Sequence, residues 1–266
     1  MFYIAVDRVQ VPRKAICASL FLLVLLSLLI IPAAEGLPVT GCTVINSPGS
    51  YLLQNDILDS SATFCIHVQS SDVIFDGNGF AIDGINATST WGIYINDPLG
   101  GNLTNVTVRN TVMSDWGPFD AAIRGWHAEN CSIINNSISH TGTAIDLGYA
   151  SNSIIHANNA SGNSGDGIVV TYSDAVRITN NTASNNDVIG FYFQNVNASI
   201  LRNNTARYDS QEGIGYYMVR DCNLSENVVE FNGIGMWVDN TPSFTSMNNT
   251  YFAKTISSNK NQGIYR

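Results

Sequence analysis

Residues 131–138 read CSIINNSI, 154–161 IIHANNAS, 176–183 VRITNNTA, 199–206 SILRNNTA and 222–229 CNLSENVV. Each holds an Asn-rich pair: Asn135-Asn136, Asn158-Asn159, Asn180-Asn181, Asn203-Asn204 and Glu226-Asn227, with Asn248-Asn249 as a sixth. The second members lie 23, 22, 23, 23 and 22 residues apart. A fixed period of this size marks a stacked repeat architecture. Three residues before each second Asn stand Ile133, His156, Ile178, Leu201, Leu224 and Ser246. Five before stand Cys131, Ile154, Val176, Ser199, Cys222 and Phe244. The two-residue offset between these columns is strand alternation, with one face apolar.

A second short strand opens each coil, as in Gly92-Ile93-Tyr94-Ile95, Ala144-Ile145-Asp146-Leu147, Gly167-Ile168-Val169-Val170, Gly190-Phe191-Tyr192-Phe193 and Gly235-Met236-Trp237-Val238. Its outward column reads Tyr94, Arg124, Asp146, Val169, Tyr192, Gly215 and Trp237. A coil this short cannot bury its apolar face alone, so neighbouring coils must cover it. The expected fold is all-β: a single-stranded right-handed parallel β-helix of about eight coils of 22–23 residues. Repeated Asn at one turn would hydrogen-bond along the stack, as identical amides do in other stacked β structures. At the sheet spacing the rod would be about 40 Å long. By this phase His156 falls in the apolar column and is expected inside.

Working outward, residues 1–36 carry Arg8, Arg13 and Lys14 ahead of the apolar run Ala15–Ile31, then Pro32 and the small residues around Ala34. This layout predicts a signal peptide or an uncleaved membrane-anchor helix. Residues 37–63 are expected to form an N-terminal cap segment, and 64–266 the β-helix. The chain beyond the leader lies outside the cytoplasmic membrane, exported or anchored at the cell surface. The membrane is a partner only through an uncleaved leader. Nine basic side chains then face nineteen acidic ones, so nucleic acid is excluded as a partner.

Cys17 belongs to the leader, and no C-x-x-C pair exists among the five cysteines. Cys131 and Cys222 share a column but stand four coils apart, about 19 Å by the sheet spacing. A disulfide needs Cα atoms within about 7 Å, so both are expected as buried free thiols. Cys42 and Cys65 precede the regular coils, and export permits their disulfide.

The stretches Ile178-Thr179-Asn180-Asn181-Thr182 and Gly167-Ile168, with Tyr51-Leu52-Leu53, Cys65-Ile66 and Val73-Ile74-Phe75-Asp76-Gly77-Asn78-Gly79, resemble NosD-type right-handed parallel β-helix proteins. The resemblance covers roughly residues 42–260. It implies an envelope or surface location. Through related pectate lyases, polygalacturonases and alginate epimerases, it implies a polysaccharide ligand. NosD itself is linked to copper delivery, but His67, His127, His140 and His156 are scattered and form no Met/His cluster, so no metal site is expected.

Two functions follow. One is a non-catalytic envelope protein binding surface glycans or surface proteins. Tyr94, Trp116, Trp126, Tyr192 and Trp237 are its candidate sugar platforms, because aromatic faces stack on sugar rings while their polar tips stay wet. The alternative is a polysaccharide lyase, hydrolase or epimerase with a groove around Asp115–Asp146. Its candidate catalytic residues are Asp115, Asp120, Arg124, His127 and Asp146, with calcium as a cofactor in that case only. The paired-Asp and Gly-His-Gly signatures of polygalacturonases and the Asp-Pro-His-Glu motif of epimerases are absent, which favours the first function. Among eleven N-x-S/T sequons, Asn86, Asn102, Asn105 and Asn197 are the candidate glycosylation sites.

Overall fold

The computed structural model describes residues 36–239 and 250–265. The leader and the Asn248-Asn249 pair lie outside the described residues, as do the column positions Phe244 and Ser246. No helix among the described residues is long and apolar enough to cross a membrane.

Those residues form a parallel β-solenoid of about nine turns. One wall is a ten-stranded sheet: Thr43–Ile45, Phe64–Val68, Trp91–Ile95, Ala121–Trp126, Thr143–Gly148, Ile168–Asp174, Phe191–Asn197, Glu212–Tyr217, Ile234–Asp239 and Gln262–Tyr265. The other wall is a seventeen-stranded sheet made of two adjoining columns of short strands. In one column Ser132–Ile134, Ile154–His156, Arg177–Thr179 and Ile200–Arg202 stack in parallel. In the next, Ser137–Ser139, Asn159–Ala160, Thr182–Ser184 and Thr205–Arg207 do the same.

The segment expected as a cap contributes strands to both walls. Thr43 pairs with Ile66, and Gly49–Leu53 pairs with Val73–Asp76. Residues 37–60 are therefore a first coil in their own right, which adds a turn to the eight expected.

The core is one apolar column per wall position. Ile123, Ile145, Ile168, Phe191, Ile214 and Met236 line one side, and Ile133, Ile155, Ile178, Leu201 and Leu224 the other. The second column of that other wall reads Ile138, Ala160, Ala183, Ala206 and Val229. Each fully buried Ile contributes about 2 kcal/mol.

The Asn repeat divides its labour between the two residues of the pair. The first has a left-handed backbone, with φ of 55° at Asn135, 59° at Asn180 and 56° at Asn203. Asn tolerates this region better than most side chains. The second is buried and forms a ladder. The Oδ1 of Asn181 accepts from both the backbone N–H and the Nδ2 of Asn158, at 2.9 and 3.0 Å. The Nδ2 of Asn181 donates to the Ile155 carbonyl at 2.9 Å and to Asn204 Oδ1 at 3.0 Å. The same pattern runs through Asn136, Asn158, Asn181, Asn204 and Asn227.

One coil is out of phase with the sequence alignment. The ladder uses Asn158, not Asn159, so the 22-residue interval lies between Asn136 and Asn158. Asn159 pairs instead with Thr182 and is exposed. In a strand a one-residue slip reverses every side chain. His156 therefore points outward, its Nδ1 2.8 Å from the Thr179 hydroxyl, and Ile155 takes the interior place. Ser153 likewise replaces Ile154 in its buried column, and Ala160 is buried in the next strand.

A second ladder, not anticipated, runs up another corner through Thr141, Asn163, Asn186, Asp209, Asn232 and Asn259. Asp209 is the exception in an amide column. Its Oδ1 accepts from the Asn186 backbone N–H at 2.9 Å and from its Nδ2 at 3.1 Å. Its Oδ2 is buried without a hydrogen-bond partner. Burial pushes this carboxyl up to about 8 against the opposing Asn186 bonds, which favours the neutral acid at pH 7, and Oδ1 fills the acceptor half of the amide's role.

Cys42 and Cys65 form the expected disulfide, with Cα atoms 4.3 Å apart and a sequence separation of 23. Because Thr43 pairs with Ile66, the bridge closes one coil onto the next. Cys131 and Cys222 are buried free thiols, as expected.

Asn158→Ala strips the ladder of a double acceptor and a donor. It is expected to cost about 3 kcal/mol, against about 0.5 kcal/mol or less for exposed Asn159→Ala, as measured by urea denaturation. Asp209 has a folded pKa above its ordinary value, so the folded chain holds this proton more tightly than the unfolded chain. Its stabilisation is complete below about pH 4 and is lost as pH rises through about 8. Asp209→Asn should flatten the fall in melting temperature between pH 6 and 8, and an unchanged slope would refute this origin.

Candidate functional site

The outer face of the ten-stranded sheet gathers aromatic and charged side chains. Registers place Tyr94 beside Arg124, Arg124 beside Asp146, Asp146 beside Val169, Val169 beside Tyr192, Tyr192 beside Gly215 and Gly215 beside Trp237. The expected outward column thus exists, one residue per coil.

Its N-terminal end is aromatic. Phe64 stacks on Trp91 at 5.2 Å and on Tyr94 at 4.9 Å, and His67 lies 5.4 Å from Tyr94. His67 Nε2 is 2.8 Å from Asn96 Oδ1, which fixes its ring. The centre is charged. Arg124 Nε stands 3.6 Å from Asp146 Oδ2, and the guanidinium carbon lies 5.2 Å from the Trp126 ring centre. Burial pushes the Asp146 carboxyl up, and the Arg124 charge opposes that push. Trp126 packs edge-on against Tyr149 at 5.1 Å; His127, Tyr149 and Tyr172 form a stack at the turn, spaced 4.6 and 5.0 Å. The C-terminal part is aromatic again, with Tyr192 5.1 Å from Tyr217. A Cβ at Gly215 would come 3.0 Å from the Tyr217 ring, so the missing side chain makes room for that ring.

Two carboxyls that were not singled out share this face. Asp166 occupies the turn before strand Ile168–Asp174, and its Oδ1 accepts the Ile189 N–H at 2.9 Å. Burial pushes Asp166 up to about 6, reinforced by Glu212 and Asp146. Glu212 opens its strand, and burial raises its carboxyl as well. Asp166 in turn raises the Tyr192 hydroxyl, after burial. The sequence signal was present: both acids stand three residues before the outward column, at Val169 and Gly215. Gly165-Asp166-Gly167 reads as a mere tight turn when taken alone.

The candidates near residue 120 do not converge. Asp115 sits at a different corner, where the groups acting on its charge are Asp83, His140 and Asp59, with burial the largest cause of its raised pKa. There it lines a shallow depression with Asn86, His140 and Asn185. Trp116 is fully buried and its Nε1 donates to the Ile82 carbonyl at 2.9 Å. It is a core residue and presents no face to a ligand. Asp120 Oδ2 accepts the Ser89 N–H at 2.6 Å and ties two loops together. Arg124, Trp126, His127 and Asp146 do come together. Of the candidate glycan acceptors, Asn105 Nδ2 donates to Asp72, Asn197 Nδ2 to Asp174 and Asn102 Nδ2 to Glu129.

The family model described as "Periplasmic copper-binding protein (NosD)" matches residues 34–196 and 103–266. Among solved structures, DFA-IIIase from Arthrobacter chlorophenolicus A6, a mutant in complex with DFA-III, is similar at 21% identity. The match covers 74% of this chain and 47% of that one, with a TM-score of 0.53. The chain therefore spans about half the length of that enzyme. The periplasmic alginate epimerase AlgG is similar at 14% identity over 84% of this chain and 69% of that one, with a TM-score of 0.54. The Dettilon tailspike protein (gp208) is similar at 13% identity over 85% of this chain and 56% of that one, with a TM-score of 0.52. At these identities the likeness is one of fold. No curated protein sequence matches.

The described residues do not fit copper. His67, His127, His140 and His156 each have a separate neighbour in Asn96, Tyr149, Ser139 and Thr179. Burial pushes the Cys131 and Cys222 thiols up to about 11, which disfavours thiolate ligation. No group of three or more His, Cys, Asp or Glu among the described residues is arranged to hold an ion.

Arg124→Ala removes the charge that holds the Asp146 pKa down. The Asp146 carboxyl is expected to titrate at higher pH than in the native chain, as followed by carboxyl carbon NMR. A lower titration point would mean that another group governs Asp146.

Proposed function

This chain belongs to the NosD family, and from that premise we propose that it is an exported envelope protein that binds polysaccharide along the outer face of the ten-stranded sheet. One observation carries the reading. A single column presents Tyr94, Arg124, Asp146, Val169, Tyr192, Gly215 and Trp237 one coil after another. The column repeats at about 4.8 Å, a length near that of one sugar unit, so an extended glycan meets a new residue at each step. Rings supply apolar faces for the sugar, and the ion pair supplies donors and acceptors for its hydroxyls.

Binding without turnover is the favoured form. Arg124 and Asp146 are engaged with each other, and Asp115 and Asp120 lie away from them at other turns. The fold neighbours support a polysaccharide as the ligand class, since a periplasmic alginate epimerase and a DFA-III complex share this architecture. A second reading, a polysaccharide-active enzyme, is favoured by one observation: Asp166 is pushed to about 6, a value suited to a general acid.

A glycan array probed with residues 36–266 tests both. Retention of defined oligosaccharides is expected, weakened about tenfold or more in a Trp126→Ala, Tyr192→Ala double variant. Shortened products after prolonged incubation would replace the binding reading with the enzymatic one. Binding that survives the double variant unchanged would move the site off this face.

A further inference from the structure

Asp166 and Glu212 stand three residues ahead of the outward column that holds Asp146, and the cation supply of these three acids is incomplete. Arg124 stands 3.6 Å from Asp146 and answers that carboxyl alone. Glu212 is only 8% exposed, and its Oε2 is buried without a hydrogen-bond partner. It lies close enough for its charge to act on Asp166. The backbone bonds Gly167 N to Ile189 O and Gly190 N to Glu212 O set Asp166, Ile189 and Glu212 in successive layers. The two acids are thus about 10 Å apart along the stack, roughly a disaccharide. Tyr192 adjoins them, its hydroxyl sensing the Asp166 charge.

A buried carboxylate oxygen with nothing to receive is costly unless a cation or donor meets it. A ligand bearing primary ammonium groups at sugar spacing meets that requirement. A uronate polymer does the opposite, bringing further negative charge to three acids. A neutral or N-acetylated sugar offers weaker, uncharged donors.

We propose that Asp146, Asp166 and Glu212 form a subsite for amino-sugar units, with ammonium groups directed at Asp166 and Glu212 and a sugar ring resting on Tyr192. This rests on the reading of the outer face as a glycan-binding surface and names the class of glycan it selects.

Titration calorimetry on residues 36–266 tests it, using the hexamer of β-1,4-glucosamine, the fully N-acetylated hexamer and a hexauronate. The free-amine hexamer is expected to bind at least about tenfold more tightly than the N-acetylated one, the scale of one charge-assisted hydrogen bond. The hexauronate is expected to bind most weakly. Glu212→Gln and Asp166→Asn preserve shape, and each is expected to bring the ratio of free-amine to N-acetylated affinity down toward one. Circular dichroism checks that both variants fold. Equal affinity for the amine and N-acetylated hexamers, or an amine preference untouched in both variants, overturns the subsite but leaves a glycan-binding face. Absence of binding by all three hexamers, with Tyr192→Ala equally silent, sinks the glycan-binding face as well.

Discussion

The buried amide of each ladder asparagine is the constraint on which the rest of the solenoid depends. A turn that brings backbone into the interior leaves N–H and C=O groups that water cannot reach, and each needs a partner. Asn181 answers two of them at once, Asn158 N and Ile155 O, while also accepting from Asn158 Nδ2 and donating to Asn204 Oδ1. The next coil repeats the arrangement. A side chain with both a double acceptor and a double donor, on a short stem, closes this circuit. The apolar columns then have a fixed register in which to stack. At the second corner Asp209 keeps only the acceptor half of this arrangement, through Oδ1.

Periodicity made most of the fold legible. The apolar alternation, the outward column and the two buried thiols follow from a 22–23-residue phase and the spacing of parallel strands, whereas the disulfide follows from export and the place of Cys42 and Cys65 ahead of the regular coils. What escaped was the position of the short interval. Asn158 and Asn159 are identical side chains, so the sequence cannot say which faces in. Only the coil as a whole, with Ile155 and Ala160 buried, decides it. The second ladder escaped for a related reason. Its members are Thr, Asn, Asp and Asn scattered in polar turns, with no constant dipeptide to mark the column. Its phase was detectable once Asn163, Asn186, Asp209 and Asn232 are written 23 residues apart.

The site was half legible. Residues 115–127 are rich in Trp, Asp and His, and adjacency in sequence suggested a cluster. On a solenoid that stretch covers about half a turn, so its ends belong to different walls. Asp115 goes to a corner with His140, Trp116 into the core, and Arg124 onto the sheet. Neighbours in space are instead residues one period apart, such as Arg124 with Asp146 and Tyr149 with Tyr172. Asp166 and Glu212 emerge only when the chain is read down its columns. The same turn residue, Asp166, looks structural in one coil and chemical beside its vertical neighbours.

The bridge between Cys42 and Cys65 has a mechanical side. Parallel strands joined by a ladder of hydrogen bonds open one bond at a time when a terminal strand is peeled. Tension arriving along the chain ahead of Cys42 peels the short strand Leu37–Val39 from the strand Gly49–Leu53, then meets a covalent crossing and is delivered into the strand Phe64–Val68. That strand is already flanked by Thr43–Ile45 on one side and Trp91–Ile95 on the other. A pull from this direction must shear two ladders together, and the outermost layer behaves as a riveted plate, not a loose edge.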